Sequence, residues 1–230
     1  MVGGDVTDGA LRWRLLVCDV DSTLITGEVI EMLADRAGHR AEVERVTAAA
    51  MRGELDFEAS LRRRVALLAG LDAAVFAEVA AEIRLTPGAR TLMTTLQRRG
   101  VRRGIVSGGF TQVTRYLVED LALDFAAANT LEVVDGVLTG VLLGPIVDRA
   151  GKAAALRRFA AECAVSLDRT VAIGDGANDI DMLDAAGFSI AFNAKPVVQR
   201  HASAVLTGPS LEPVLAMLGM GADHVGGGVR

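Results

Sequence analysis

The sequence predicts an α/β fold, a doubly wound and mostly parallel sheet with an inserted helical cap, and three observations lead there. Short stretches that read as strands recur at 15–18, 101–106, 170–173 and 188–192, separated by stretches with helical spacing. Two of these runs open straight into acidic residues. Leu15-Leu16-Val17-Cys18 leads into Asp19-Val20-Asp21-Ser22-Thr23, and Val171-Ala172-Ile173 leads into Gly174-Asp175-Gly176-Ala177-Asn178-Asp179. Between the first run and the second, residues 27–83 carry helical periodicity without a strand pattern. Parallel sheets bind ligands beyond the carboxyl ends of their strands, so the two acidic ends mark the expected site.

Taken in order, the Gly- and Asp-rich tails at 1–10 and 221–230 read as disordered. The core is expected over 11–26 and 84–220, with 27–83 as the cap, whose helical pieces include 28–36 and 57–68. Thr86-Pro87-Gly88 predicts a helix start with Thr86 as N-cap and Pro87 in the first position, and Gly100 ends that helix after Arg98-Arg99. The strand at 101–106 is expected to end in a turn at Ser107-Gly108-Gly109, before a helix over 111–119. Alternation over 131–143 around Asp135-Gly136 predicts a hairpin, because Asp-Gly suits the two-residue turn that matches strand twist. A helix at 152–164, a strand at 170–173, a helix at 180–186 and a strand at 188–192 complete the alternation that a parallel sheet requires.

Composition narrows the function classes. The 230 residues are 51% hydrophobic and 23% charged, enough to bury one large core, and with 4% aromatics that core must be aliphatic. A net charge of -5 argues against general nucleic-acid binding, which needs a positive field along a phosphate backbone. No apolar run reaches a membrane span, and the start lacks the basic and apolar parts of a secretory leader. Cys18 and Cys163 lie far apart and form no zinc pattern with His39, His201 or His224, so both read as reduced, buried thiols of a cytoplasmic protein. No feature specifies an oligomeric state. Of the 24 basic residues only Lys152 and Lys195 are lysines, so each lysine carries more information than usual.

The acidic ends suit phosphoryl transfer. A carboxylate at Asp19 can attack phosphorus, provided that a hard cation such as Mg²⁺ shields it from the anionic substrate. If the extended conformation persists, Asp21 points the same way and can act as general acid, then as general base toward water. Ser107-Gly108-Gly109 can hold phosphate through the hydroxyl and backbone N–H groups. Lys152 opens a helix, where the macrodipole disfavours a cation, so an anion is expected beside it. Asp175, Asn178 and Asp179 can supply a metal ligand, a polar contact and a supporting carboxylate. Each residue also has a plainer reading, as a strand-end cap, an ordinary turn or a solvated lysine. A calcium loop fails at Ala177 and Ile180, where its pattern needs an oxygen ligand and a glycine.

The ordered set Asp19-x-Asp21-x-Thr23, Ser107-Gly108, Lys152 and Gly174-Asp175-Gly176-x-Asn178-Asp179 resembles the haloacid dehalogenase superfamily of phosphatases. Asp-Val-Asp-Ser-Thr, Ser-Gly-Gly-Phe, Gly-Asp-Gly-Ala-Asn-Asp and Ala191-Phe192-Asn193-Ala194-Lys195-Pro196 are similar to the branch that hydrolyses O-phosphoserine. The resemblance covers about 15–195 and implies Asp19 as nucleophile and Asp21 as acid/base. It implies Mg²⁺ on the Asp19 carboxylate, the Asp21 carbonyl and Asp175, with Ser107, Gly108, Lys152 and Asn178 on phosphate or substrate. It further places Glu28 on the substrate ammonium, Arg64 on its carboxylate, and Met51 and Phe57 as apolar cover. Some relatives carry an amino-terminal regulatory domain, whereas about fourteen residues precede the first strand here, so feedback through such a domain is not expected. Rival readings are transfer to another acceptor such as homoserine, hydrolysis of another small phosphomonoester, a phospho-accepting signalling domain, or a catalytically dead binding protein on this fold. Asp21 and the cap favour turnover over the signalling role.

Overall fold

The computed structural model of the chain describes residues 11–51 and 54–221, Met51 by its backbone alone, so the expected tails, Gly221 apart, lie outside the described residues. Seven strands form one sheet: β1 (Leu15–Asp19), β2 (Arg102–Phe110), β3 (Phe125–Val134), β4 (Val137–Leu143), β5 (Thr170–Gly174), β6 (Phe188–Phe192) and β7 (Ala204–Leu206). Their order is β4-β3-β2-β1-β5-β6-β7, parallel throughout except for the β3–β4 hairpin. Ten helices accompany them among the described residues. Four come between β1 and β2: α1 (Val29–Ala37), α2 (Arg40–Met51), α3 (Phe57–Ala66) and α4 (Val75–Glu82). The others are α5 (Ala89–Arg98), α6 (Thr111–Leu121), α7 (Arg149–Glu162), α8 (Ile180–Ala185), α9 (Pro196–Gln199) and α10 (Pro213–Met217).

Strand side chains alternate between faces, and each central strand feeds two cores. Leu16, Cys18, Val171, Ile173, Ile190 and Phe192 pack with α5, α6 and α10 and with the helices inserted between β1 and β2. Leu15, Val17, Ala172 and Ala191 pack on the other face with Leu156 and Phe159 of α7 and Met182 and Leu183 of α8. Full burial of a side chain such as Phe159 or Phe192 stabilises the fold by about 1.5–3 kcal/mol, so both faces contribute. The direction of winding reverses between β1 and β5, which places the crevice at their carboxyl ends.

The inserted helices are joined to the sheet at two places. Where the chain leaves and returns, Ile25 and Leu85 form an antiparallel bridge, flanked by Thr26 N–H to the Arg84 carbonyl (3.0 Å) and Thr86 N–H to the Leu24 carbonyl (2.9 Å). At the far end the α3–α4 connector lies along the hairpin. Gly70 N–H donates to the Leu138 carbonyl (2.9 Å), Leu138 N–H to the Leu71 carbonyl (2.8 Å) and Ala73 N–H to the Gly136 carbonyl (2.8 Å). The hairpin itself turns at Asp135 (φ 50°) and Gly136 (φ 80°), the two left-handed positions that its sequence foretells.

Three local expectations are corrected. Thr86 is not a helix cap: its Oγ1 donates to the Thr23 carbonyl (2.7 Å), Ala89 N–H returns to the Thr86 carbonyl (2.9 Å), and α5 starts only after Gly88. Gly88 is left-handed (φ 77°), and a Cβ there would stand 2.6 Å from the Glu212 N. The turn expected at Ser107-Gly108-Gly109 is a bulge within β2, where three residues oppose one between the pairs Val106–Ala127 and Phe110–Asn129. Burial of Phe110 carries the strand past it. The helix of Lys152 starts one turn earlier than expected, with Asp148 accepting the Gly151 N–H (2.7 Å) as its N-cap. Both cysteines are free, Cys18 buried but Cys163 only half-buried. The short β7, α9 and α10 have no counterpart in the sequence pattern.

Buried Arg103 on β2 reaches the carbonyls of Met93, Leu121 and Ala122 and the Asp124 carboxylate (3.3 Å), which also takes Arg102 (2.6 Å) and the Arg103 N–H (2.9 Å). Burial opposes ionisation of Asp124, but these donors outweigh it and hold its pKa below the usual value. A depressed folded pKa stabilises above the unfolded pKa and is lost as pH falls through the folded one. Asp124→Asn is therefore expected to cost about 1–2 kcal/mol at neutral pH, with the difference from the parent shrinking in acid, measured by urea unfolding at several pH values.

Candidate active site

Asp19 ends β1 on the face that carries α7 and meets Lys152 from the first turn of that helix. Lys152 is 1% exposed, and its Nζ donates to Asp19 Oδ1 (2.5 Å) and Asp179 Oδ1 (2.6 Å). Asp179 Oδ2 takes the backbone N–H groups of Asp175 (3.1 Å) and Gly176 (2.9 Å), so one carboxylate shapes the loop after β5 and anchors the ammonium. Gly174 permits this approach, since a Cβ there would stand 2.5 Å from the Asp179 carboxyl carbon. Asp175 in turn accepts from Thr23 Oγ1 (3.0 Å), tying the β5 end to the turn after β1.

Burial works against the Lys152 ammonium, but the charges of Asp19 and Asp179 outweigh it and raise its pKa. Burial and the neighbouring Asp179 raise the pKa of Asp19 and of Asp175. Oxygens of Asp19, Asp175 and Asp179 lie within 4.8 Å of one another, and among the described residues Lys152 is the one ammonium bonded to the group. Asp19 and Asp175, both in the cavity lining, offer hard oxygen donors that fit a divalent ion such as Mg²⁺, while both Asp179 oxygens are engaged by Lys152 and backbone N–H groups.

Asp21 belongs to a different set of contacts. The extended run breaks after Asp19 into a tight turn, in which Ile25 N–H reaches the Val20 carbonyl (3.0 Å) and Ser22 is left-handed (φ 58°). Asp21 Oδ1 takes the Val29 N–H at the start of α1 (2.8 Å), and Oδ2 takes the Ser107 hydroxyl (2.9 Å). Burial raises its pKa against these donors. Ser107 is fully buried and accepts the Gly109 N–H (2.7 Å), so its proton is directed at Asp21 rather than into open space.

Asp19, Asp21, Glu28, Phe57, Arg64, Gly108, Lys152, Asp175 and Asn178 line one cavity of about 670 Å³. Ser107 and Asp179 stand behind its wall, and the Met51 side chain lies outside the described residues. Glu28 accepts from Ser22 Oγ (2.7 Å), and burial together with the Asp21 charge pushes its pKa up to about 7. Arg64 donates to the Ser60 carbonyl (3.3 Å) and Thr47 Oγ1 (3.5 Å); burial lowers its pKa against the opposing charge of Glu28. The Phe57 ring covers Gly108, 3.3 Å from where a Cβ would stand. Asn193 and Lys195 also line the cavity; the resemblance over 191–196 and, for Lys195, the rarity of lysine point to them without giving either a role.

The family model of the haloacid dehalogenase-like hydrolases matches residues 16–184. A phosphoserine phosphatase of Streptomyces coelicolor is 65% identical over 212 residues, which are 92% of this chain and 52% of that protein. The chain thus spans about half the length of that relative. A phosphoserine phosphatase of Streptococcus thermophilus is 46% identical over 92% of this chain and 97% of its own length. A solved structure described as a phospho-aspartyl intermediate analogue of phosphoserine phosphatase superposes with a TM-score of 0.83 at 40% identity, covering 89% of this chain and 98% of that one.

Removing the ammonium leaves buried carboxylates unpaired. Lys152→Ala is expected to destabilise chelator-treated protein by about 3–5 kcal/mol, measured by urea unfolding, and a change under about 1 kcal/mol would contradict the pairing seen here.

Proposed function

Because the chain belongs to the haloacid dehalogenase-like hydrolases, we propose that it is a Mg²⁺-dependent phosphatase that hydrolyses O-phospho-L-serine to L-serine and phosphate, the last step of serine biosynthesis. The observation that carries this reading is that Asp19, Asp21 and Lys152 line one cavity together with Glu28 and Arg64. The first three suit a phosphoryl group, and the last two suit the ammonium and carboxylate of an amino acid. Two unpaired thiols support a reducing, cytoplasmic compartment.

The Asp19 carboxylate attacks phosphorus, the bond to the serine oxygen breaks, and protonated Asp21 delivers its proton to that oxygen. Burial, which raises the pKa of Asp21, supports a protonated group at this stage. Water then attacks the aspartyl phosphate, ionised Asp21 takes a proton from it, and cleavage of the acyl phosphate restores the Asp19 carboxylate. Lys152 holds Asp19 in line and offers positive charge to the phosphate, beside Gly108 and Asn178. Mg²⁺, held by Asp19, the Asp21 carbonyl and Asp175 with Asp179 behind them, would screen the meeting of two anions. Arg64, whose planar fork matches a carboxylate, and Glu28 orient the amino acid, while Phe57 and Met51 cover it. Helices α1 to α4 act as a cap over the site.

Phosphate release from L-phosphoserine, with Mg²⁺ and with EDTA, tests the reaction against phosphothreonine, phosphoethanolamine and an aryl phosphate. Metal-dependent preference for phosphoserine is expected, with Asp19→Asn reducing turnover at least about 1,000-fold in a folded protein. Equal activity on all esters would overturn the substrate, and transfer to added homoserine in place of hydrolysis would overturn the reaction. Arg64→Ala is expected to lower kcat/KM for phosphoserine about 100-fold while changing the aryl phosphate less than about 5-fold; equal losses would remove its role in recognition.

A further inference from the structure

Asn129 on β3 is buried and belongs to none of the motifs that mark the site. Its Nδ2 donates to the Gly108 carbonyl (2.8 Å), and its Oδ1 accepts the Val147 N–H (2.8 Å). The first partner can only accept and the second can only donate, so chemistry fixes which way the amide faces. The peptide group joining Gly108 to Gly109 is held at both ends, its carbonyl by Asn129 and its N–H by Ser107 Oγ (2.7 Å). With that N–H donating to it, the Ser107 hydroxyl turns its own proton to Asp21 Oδ2 (2.9 Å). Val147, Asn129, the Gly108–Gly109 peptide and Ser107 thus form a chain in which every donor points toward Asp21. Bonds aligned in this way polarise one another. The chain starts beside Asp148, the cap of the helix that carries Lys152.

We propose that Asn129 is a positioning residue for Asp21, orienting the Gly108–Gly109 peptide so that Ser107 holds the carboxyl where it meets the leaving oxygen. This rests on Asp21 acting as the general acid. Asn129→Asp keeps the side-chain shape but sets an oxygen against the Gly108 carbonyl, so the peptide loses its anchor and Ser107 its direction.

The test compares first-turnover release of serine from phosphoserine with release of nitrophenolate from 4-nitrophenyl phosphate, a leaving group that needs no proton. Asn129→Asp is expected to slow serine release at least ~10-fold and nitrophenolate release less than ~3-fold, a discrimination that general loss of structure would not produce. Asn129→Ala, which deletes both bonds, should show the same ratio and serves if the aspartate variant fails to fold. Should neither fold, Asn129→Ser, which keeps a polar group there but is too short to hold both partners, is read in the same way. Asp21→Asn is run in parallel: equal slowing of both esters in that variant overturns the general-acid reading itself. Discrimination by Asp21→Asn with none by the folded chain variant overturns the role of Asn129.

Discussion

The buried ammonium of Lys152 is the constraint around which the site is built. A charge at this depth is tolerable only when paired, and its partners come from separate segments, Asp19 from the end of β1 and Asp179 from the loop after β5. The first turn of α7 is an unfavourable place for a cation, so the two carboxylates must also offset the helix dipole. Asp179 further holds the backbone of Asp175 and Gly176, and Asp175 reaches Thr23. Register of β1 against β5, the start of α7 and the shape of the acidic loop are therefore not independent of one another.

The two carboxylates at the end of β1 are fastened to different parts of the molecule. Asp19 is tied to α7 on one face of the sheet, whereas Asp21, beyond the break in the strand, is tied to α1 and the β2 bulge. Nucleophile and acid in the proposed reaction would thus be positioned by separate hydrogen-bond networks. This separation also gives them different partners for ionisation, an ammonium for Asp19 and neutral donors for Asp21. A group that must lose and regain a proton is better served by neutral donors than by a fixed opposite charge.

Much of this could be read from residues alone because the signals were local. Apolar runs ending in aspartates located β1 and β5, Asp135-Gly136 located the hairpin, and a lysine at a helix start announced nearby anions. Where the reading failed, a distant partner decided the outcome. Thr86 suits an N-cap by type, but the Thr23 carbonyl takes its hydroxyl. Ser107-Gly108-Gly109 reads as a turn, but burial of Phe110 and pairing with β3 keep it inside a strand. Asn129 gave no signal, since a single asparagine in an alternating strand looks like any polar residue until Gly108 and Val147 are placed beside it. The three to five residues of β7, α9 and α10 are too few to establish a period.

The connector between α3 and α4 lies against the β3–β4 hairpin with three backbone hydrogen bonds, while the other end of the inserted helices is pinned by the Ile25–Leu85 bridge. A lid attached at one edge can swing; one attached at both edges cannot do so without breaking bonds or carrying its support along. The hairpin is thereby part of what supports the cavity, although none of its residues lines it.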